Sequence, residues 1–392
     1  MSEKSVNYFE SDQTRLPHSE DVSIGTLSGL FANTTNSYKY ILFLSILDIL
    51  KRRNFDVSES ITFKDLVVEI LSNAWYPHTY FKLSFGKQDQ ITKNLDSLIL
   101  EIGEPILKFT DTDKTLLRAT IAAQDLEKAT QRLVRYVPFR LIVPFFNKEM
   151  RPVKDKGNTR DSAIPRAAEA YFDEKKPLYR FDSDQYSSCG AIVIHPSWAA
   201  YLQEHYAIVR GWASWEWLRY MQKRNPNAPG LIYKLFAPTK RSSLTKQTSY
   251  WKTVLREANL NCIYSNQKLD IETLSLDHYL PWSFLAHDQL WNLIPTLPDI
   301  NSSKSNSLPP PDSFDRFVNL QHSALDAYFR GSNRSYDGLI KDDYAEGLRI
   351  YDIEDLRNLR KLKSAYEEVV QSQLRLATNQ GFSIWQSPYS AA

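Results

Sequence analysis

The chain has 392 residues, a length that predicts two or three domains. With 42% hydrophobic and 24% charged residues, its composition is that of an ordinary soluble globular protein. The net charge of +2 gives no overall electrostatic preference for nucleic acid, and two cysteines exclude both a disulfide framework and a zinc site with four cysteine ligands.

The N-terminal sequence and the apolar content argue against export and membrane insertion. Residues 1–15 are polar and lack the apolar core of a secretory signal. The longest apolar stretch, residues 40–50, is much shorter than the roughly 20 residues that cross a bilayer. We therefore expect a cytoplasmic protein without a membrane partner.

The first part of the chain has the apolar spacing of helices. Residues 1–30 are predicted to form a polar arm and residues 31–150 a mostly helical N-terminal domain. Asn36 or Ser37 can cap the first helix. Further helices are predicted at 62–74, 91–102, 113–123 and 126–135. The proline-punctuated stretch 137–152 favours extended structure and a junction.

Residues 151–240 are predicted to form a mixed α/β middle region. Short strands are expected at 178–181 and 191–194, followed by a helical segment at 198–222. The tryptophans of that segment, Trp212, Trp215 and Trp217, are expected to pack in a core. Residues 313–392 are predicted to be a helical C-terminal extension with one charged amphipathic helix at 353–377.

A basic stretch from Trp217 to Arg256 contains no Asp or Glu. Phosphate neutralisation by Lys and Arg supplies most of the sequence-independent affinity of proteins for DNA. We therefore predict DNA contacts by Arg219, Lys223, Arg224, Lys234, Lys240, Arg241, Lys246, Lys252 and Arg256. The alternative is a solvated helical face, and the interleaved Tyr233, Tyr250 and Trp251 can either stack on bases or pack.

The most informative stretch is residues 261–309. It predicts a strand that ends at Asp277 and His278, a loop that carries Asn292, and a helix that begins near Asn301. A strand, a loop and a helix can bring Asp277, His278 and Asn301 around one cation.

These residue types fit the hydrolysis of a phosphodiester. A histidine can deprotonate water near neutral pH. Asp and Asn oxygens are hard ligands of the kind that Mg²⁺ accepts, and the ion can polarise a phosphate. Lys304 can neutralise phosphate charge. The stretch thus predicts a metal-assisted nuclease site.

The motif resembles the HNH, or His-Me finger, nucleases, in the variant whose third position is Asn, as in the nuclease module of RNA-guided CRISPR effectors. The positions that carry the resemblance are Asp277, His278, Pro281, Ser283, Phe284, Asn292, Asn301 and Lys304. The resemblance implies a ββα-metal nuclease core over residues 241–312 and an α+β fold class. It also implies that His278 is the general base, that Asp277 and Asn301 bind the metal with Asp299 as an additional ligand, and that Asn292 orients the histidine loop.

The cofactor implied by the resemblance is Mg²⁺, with Mn²⁺ as an alternative. Many HNH proteins also hold a structural zinc through paired Cys-x-x-Cys motifs. Here only Cys262 is present, so no structural zinc is expected, and packing of Tyr264 and Leu269 is expected to stabilise the motif instead. His287 is expected to be an exposed residue of the loop between His278 and Asn292.

The resemblance predicts an endonuclease that acts on DNA and, with a single metal site, nicks one strand. Residues 33–39 are similar to a segment of bacterial HNH proteins from defence and restriction systems. This implies the nuclease component of a phage-defence system such as type II Zorya, or a restriction-like enzyme, with other subunits or a second copy as partners. Two alternatives stay open: a DNA-binding subunit that does not cleave, and an RNase or toxin nuclease.

Overall fold

The computed structural model describes residues 16–32, 34–87, 89–111, 114–150, 158–236 and 241–389. The chain forms two compact units. The N-terminal unit comprises Met1–Thr79 and Ser84–Pro226, and the C-terminal unit comprises Tyr80–Leu83 and Asn227–Ala392. Both are mainly helical, and each contains a small antiparallel sheet. The predicted α+β fold class is confirmed.

The N-terminal unit consists of short helices around a three-stranded sheet. Its helices are α1 (Ile24–Ser28), α2 (Tyr38–Arg52), α3 (Phe63–Trp75), α4 (Gln90–Asp96), α5 (Glu104–Leu107), α6 (Thr115–Ala122), α7 (Glu127–Leu133), α8 (Val137–Leu141), α9 (Asn147–Met150), α10 (Asn158–Ala170), α11 (Phe172–Lys175), α12 (Pro196–Glu204) and α13 (Tyr206–Arg224). Its strands are β1 (Ile61–Thr62), β2 (Tyr179–Phe181) and β3 (Ala191–Ile194), in the order β1-β3-β2. Both predicted strands of the middle region are thus confirmed.

Local capping explains where two of these helices begin. The hydroxyl of Thr62 accepts a hydrogen bond from the amide of Asp65 at 3.0 Å and caps α3. Of the two residues predicted to cap α2, Asn36 accepts through Oδ1 from the amide of Tyr38, the first residue of the helix, at 3.2 Å. Ser37 does not cap the helix, because its hydroxyl donates to Asp89 Oδ2 at 2.7 Å. The predicted helix at 91–102 ends earlier, at Asp96.

Three predictions for this unit are wrong. The stretch 137–152 is helical through residue 150, and residues 151–157 lie outside the described part of the chain. Pro138 and Pro144 each stand in a first helical turn, where the missing N–H is not needed. Trp215 is exposed, whereas Trp212 and Trp217 are buried as expected. The predicted polar arm contains α1, with Leu27 buried, while residues 1–15 are not described.

The C-terminal unit packs helices against a pair of strands. Its helices are α14 (Leu231–Leu235), α15 (Thr245–Glu257), α16 (Trp282–Leu285), α17 (Pro298–Lys304), α18 (Phe314–Arg330), α19 (Asp337–Leu348), α20 (Ile353–Arg357) and α21 (Leu359–Asn379). The strands β4 (Ser275–His278) and β5 (Leu293–Thr296) are antiparallel, with Asp277 opposite Ile294 and His278 opposite Leu293. One apolar cluster joins the strands to helices α15 through α21.

The helix predicted at 353–377 is interrupted, and this is a further correction. Asn358 separates α20 from α21. Its side-chain oxygen accepts hydrogen bonds from the amides of Arg360 and Lys361 and so caps α21. Asn favours such capping over continued helix because its side chain competes with the backbone hydrogen bonds.

Polar side chains of the later helices hold the backbone at the start of β5 and just before it. Gln321 Nε2 donates to the carbonyl oxygens of Leu290 at 3.2 Å and Leu293 at 2.9 Å. Tyr366 donates to the carbonyl oxygen of Trp291 at 2.9 Å, and Asp343 accepts from the amide of Leu290 at 2.7 Å. Helices α18, α19 and α21 therefore fix the chain segment that leads into Asn292.

The close approach of α19 to Trp291 yields a stability prediction. A Cβ added at Gly347 would overlap the indole ring of Trp291. We expect Gly347→Ala to lower the free energy of unfolding by about 1–3 kcal/mol, the usual cost of overpacking. Gly338, on the same helix, has open space around a built Cβ, so Gly338→Ala is the matched control. Urea denaturation that found the two variants equally stable would contradict the prediction.

Candidate active site

The strand β4 presents Asp277 and His278 as neighbours, and their side chains point to opposite faces of the sheet. Asp277 is 2% exposed, and the side chain of His278 is 11% exposed. The strand was predicted to end at these residues, and it does. The two side chains therefore meet different surroundings.

Asp277 is held by a lysine and a tyrosine. Its Oδ1 accepts a hydrogen bond from Lys304 Nζ at 3.0 Å, and its Oδ2 accepts one from the Tyr264 hydroxyl at 2.9 Å. Lys304 lies in the last turn of α17, is fully buried, and also donates to the carbonyl oxygen of His278 at 2.7 Å. Burial lowers the pKa of Lys304, and the adjacent Asp277 opposes this.

Tyr264 does more than the packing that was predicted for it. It is buried, as expected, and its ring packs edge-on against Trp385. Its hydroxyl also donates to Asp277, and burial together with that carboxylate raises the pKa of Tyr264 well above its ordinary value. Tyr264 therefore remains a neutral hydrogen-bond donor to Asp277.

Asn292 ties together the chain that follows His278. The amide of Leu280 donates to Asn292 Oδ1 at 2.8 Å, and Asn292 Nδ2 donates to the carbonyl oxygen of Leu280 at 2.9 Å. The amide of Tyr279 donates to the backbone oxygen of Asn292 at 2.8 Å. Asn292 is fully buried. These contacts fix the path of the backbone immediately after His278.

Asn301 lies beside β4. Its Nδ2 donates to Ser275 Oγ at 2.7 Å and to the carbonyl oxygen of Leu276 at 3.0 Å. The helix that carries it begins at Pro298, three residues before Asn301, because proline suits the first turn. Within the described part of the chain, Asn301 Oδ1 accepts no hydrogen bond. The amide is thus oriented by the strand, with its oxygen left available.

His278 faces an acidic residue that sequence reasoning missed. Its Nε2 lies 2.8 Å from Asp288 Oδ1, and Arg241 Nη2 lies 3.6 Å from the same oxygen. Burial lowers the pKa of His278 below its ordinary value, and Arg241 acts in the same direction while the hydrogen bond to Asp288 opposes it. Asp288 follows His278 by ten residues and does not share a helix or strand with it, so no helical or strand periodicity in the sequence indicates that the two side chains are in contact.

The pKa of Asp288 is also shifted. Burial opposes its ionisation, but the hydrogen bond from His278 and the charges of His278 and Arg241 outweigh that effect and lower its pKa. The neighbouring His287, expected to be exposed, is half-buried, and its Nδ1 accepts from the amide of Gln289 at 3.4 Å. Burial, with the charge of His278, lowers the pKa of His287 to about 4.

The donor set for a metal is small. Asp299 is exposed in the first turn of α17 and makes no ion pair or hydrogen bond with another described residue. In the part of the chain that the structure describes, no group of three or more His, Cys, Asp and Glu side chains is placed to hold a metal ion. Asp277 and the amide oxygen of Asn301 are the hard oxygen donors on and beside β4.

The predicted DNA-contacting residues are divided between the two units. Arg219, Lys223 and Arg224 are exposed on α13 of the N-terminal unit, and Arg219 pairs with Glu216 at 3.1 Å. In the C-terminal unit, α15 carries the exposed Lys246 and Arg256 and the half-buried Lys252. Lys240 lies outside the described residues, and Arg241 is half-buried against Asp288 and Trp282.

Lys234 does not lie on the surface that was predicted for it. It is fully buried, with Nζ 5.3 Å from the centre of the Phe284 ring and no hydrogen-bond partner among the described residues. Burial lowers the pKa of Lys234 to about 7. Of the three aromatic residues that were expected either to stack on bases or to pack, Tyr250 and Trp251 are buried and Tyr233 is exposed.

Comparison with known proteins finds a family match over the segment that contains this site. A family model described as HNH endonuclease matches residues 262–310, the segment that contains β4, β5 and α17. Neither the curated proteins nor the solved structures include a significant match to the chain. No helix in the described ranges has the length and apolar character of a membrane span. HNH nucleases generally use divalent metal ions. Residues 262–310 are therefore similar to the HNH endonuclease family, which supports a nuclease.

Proposed function

We propose that the chain is a divalent-metal-dependent endonuclease that hydrolyses phosphodiester bonds of DNA. The observation that carries the proposal lies within the segment that matches the HNH family. There, β4 places His278, held by a carboxylate, directly after the buried Asp277. This arrangement combines a base with a candidate metal ligand on adjacent residues.

In this proposal His278 accepts a proton from the attacking water. The base must be neutral, and the lowered pKa of His278 favours the neutral form near pH 7. Asn292 has a positioning role, because its paired hydrogen bonds to Leu280 hold the backbone that follows His278. A base held in this way needs little reorganisation before it reacts.

We assign the metal ligands to Asp277 and Asn301, with the exposed Asp299 as a weaker candidate. Asn301 Oδ1 has no other described partner, and each Asp277 oxygen accepts one hydrogen bond and keeps a second lone pair. These donors fit Mg²⁺ or Mn²⁺, which would supply polarisation of the phosphate and stabilisation of the leaving oxygen. Lys304 is buried against Asp277, so we propose that it balances that charge rather than binds phosphate.

The exposed basic residues of α15 are the part of the predicted DNA surface that belongs to the nuclease unit. Lys246 and Arg256 extend into solvent, and Lys252 is half-buried. We propose that they neutralise DNA phosphates beside the site. The basic residues of α13 belong to the other unit, and their contribution is a separate proposal.

The test is cleavage of supercoiled plasmid by the full chain with MgCl2 or MnCl2, and with EDTA as control. We expect open circles with either metal, because one site cuts one strand, and no cleavage with EDTA. Parallel digestion of single-stranded DNA and RNA separates a DNase from an RNase or toxin nuclease. Plasmid that stays intact with every metal, but is retarded in a gel shift, would support a DNA-binding subunit and overturn the enzyme proposal.

We further propose that this nuclease acts in the cytoplasm in defence against phage or in restriction, alone or with other subunits of such a system. The support is the similarity of residues 33–39 to proteins of those systems, of which Asn33 lies outside the described residues. Plaque counts on cells that express the chain test the proposal. Equal counts with wild-type protein and His278→Ala, over a panel of phages, would contradict it.

A further inference from the structure

We propose that Asp288 is a positioning residue that holds His278 in the tautomer with hydrogen on Nε2, and that Arg241 holds Asp288 in place. The inference rests on the proposed function, in which His278 accepts a proton from water. It adds two residues that the sequence motif does not assign to the reaction, and it names the atom of His278 that reacts.

A hydrogen bond joins the imidazole of His278 to the carboxylate of Asp288. Nε2 of His278 lies 2.8 Å from Oδ1 of Asp288. An ionised carboxylate can only accept hydrogen bonds, so Nε2 must be the donor. In a neutral imidazole the other nitrogen, Nδ1, then carries the lone pair. Nδ1 of His278 has no hydrogen-bond partner among the described residues, so the atom that can take a proton is unobstructed by the contacts of this region.

Asp288 is held through both its backbone and its side chain. Its backbone oxygen accepts a hydrogen bond from Gln247 Nε2 of α15 at 3.2 Å. Its Oδ1 lies 3.6 Å from Arg241 Nη2. The guanidinium of Arg241 in turn stacks 4.4 Å from the centre of the Trp282 ring, on α16. Such stacking restricts a long side chain that would otherwise be free to rotate.

Solvent exposure of the side chains falls from Arg241 through Asp288 to His278. The side chains of Arg241, Asp288 and His278 are 30%, 19% and 11% exposed. The carboxylate therefore lies between a partly solvated cation and a buried ring. Charge-assisted hydrogen bonds in such surroundings are stronger than at an open surface. This is the condition under which a carboxylate can select one tautomer of a histidine, as it does in Ser-His-Asp hydrolases.

The inference also changes the role predicted for Arg241. A residue that both pairs with Asp288 and stacks on Trp282 is already engaged within the protein. We therefore expect its removal to act mainly on the turnover of bound DNA, and only weakly on DNA affinity. Removal of an exposed lysine such as Lys246 should show the opposite pattern, with a loss of DNA affinity that is largest at low salt and shrinks as salt rises.

The experiment uses the full chain labelled with ¹⁵N-histidine, with the resonances of His278 assigned by their absence in His278→Ala. We expect the wild-type ring nitrogens at neutral pH to show a protonated Nε2 and an unprotonated Nδ1. In Asp288→Asn the amide can donate to Nε2 and favour the other tautomer, so we expect the two signals to exchange character. In Asp288→Ala we expect a mixture of tautomers.

The same variants are compared by steady-state kinetics. We expect Asp288→Asn to lower kcat by about 10²- to 10⁴-fold with little change in KM, by analogy with loss of the tautomer in Ser-His-Asp sites. Arg241→Gln should lower kcat by about tenfold or less, because its contact with Asp288 is longer and partly solvated. The matched control is Asp315→Asn, since Asp315 pairs with Lys363 at 2.7 Å on the exposed surface of the same unit. Neither the His278 spectrum nor kcat should change in this control.

The outcomes separate this inference from the proposed function. If the wild-type chain cleaves no nucleic acid, the proposed function fails, while a tautomer change in Asp288→Asn would still support the positioning role. If the wild type cleaves DNA and Asp288→Asn keeps both the wild-type tautomer and kcat, the positioning role is overturned. A fall in kcat without any change in the His278 signals would overturn it as well, because the effect would then act through another route.

Discussion

Replacing His278 with alanine should lower the rate of plasmid nicking by about 10²- to 10⁴-fold, the usual contribution of a general base. The expected loss is in kcat, because the ring is only slightly exposed and offers little area for binding DNA. The matched control is His322→Ala. His322 lies in the same unit, where its ring bonds to the carbonyl oxygen of Arg357 at 2.8 Å, so this variant should cleave at the wild-type rate.

The pH dependence of the wild-type enzyme follows from the same residue. Burial lowers the pKa of His278 below its ordinary value, so the imidazole stays neutral, and able to accept a proton, to a lower pH than an exposed histidine would. We therefore expect kcat to persist down to about pH 6.5, the ordinary pKa of histidine, and to fall at lower pH. A profile measured at saturating metal that already lost activity above pH 7 would rule out this assignment of the base.

Replacing Lys304 with methionine should destabilise the C-terminal unit by about 3–5 kcal/mol, because it leaves the carboxylate of Asp277 buried without its cation. Methionine has a similar volume, so loss of packing is small. The double variant Asp277→Asn with Lys304→Met removes both charges, and we expect it to recover most of the lost stability while remaining inactive. Urea denaturation and plasmid nicking measure the two effects independently.

A surface ion pair supplies the control for this prediction. Lys363 pairs with Asp315 at 2.7 Å on the exposed surface, and Lys363→Met should leave stability unchanged within error. If Lys304→Met were as stable as Lys363→Met, the buried pair would contribute nothing to the fold. If the double variant were no more stable than Lys304→Met alone, charge imbalance would not be the cause of the loss.

The sequence predicted the parts of the site that depend on local order along the chain. A strand ending in Asp277 and His278 and a helix carrying Asn301 are both present. The fold class was also predictable, since helical spacing dominates and only short segments favour strands. These features depend on residue periodicity and on adjacent positions, which a single sequence displays directly.

Contacts between distant positions could not be predicted. Asp288 meets His278 because the loop after α16 folds back, and Arg241 reaches it from outside the family motif. Lys234 belongs to a run of basic residues, but its side chain is turned into the core against Phe284. A count of charges along the chain cannot distinguish a buried lysine from an exposed one.

The contacts of Gln321 and Tyr366 with the backbone before β5 have a consequence for how this nuclease can be used. The family match ends at residue 310, yet the carbonyl oxygens of Leu290, Trp291 and Leu293 find their donors on helices beyond it. Trimmed to the matched segment, the protein would lose these hydrogen bonds and would expose to water the apolar cluster that it shares with helices α18 to α21. A nuclease domain to be transferred into another protein must therefore include helices α18 to α21, and not residues 262–310 alone.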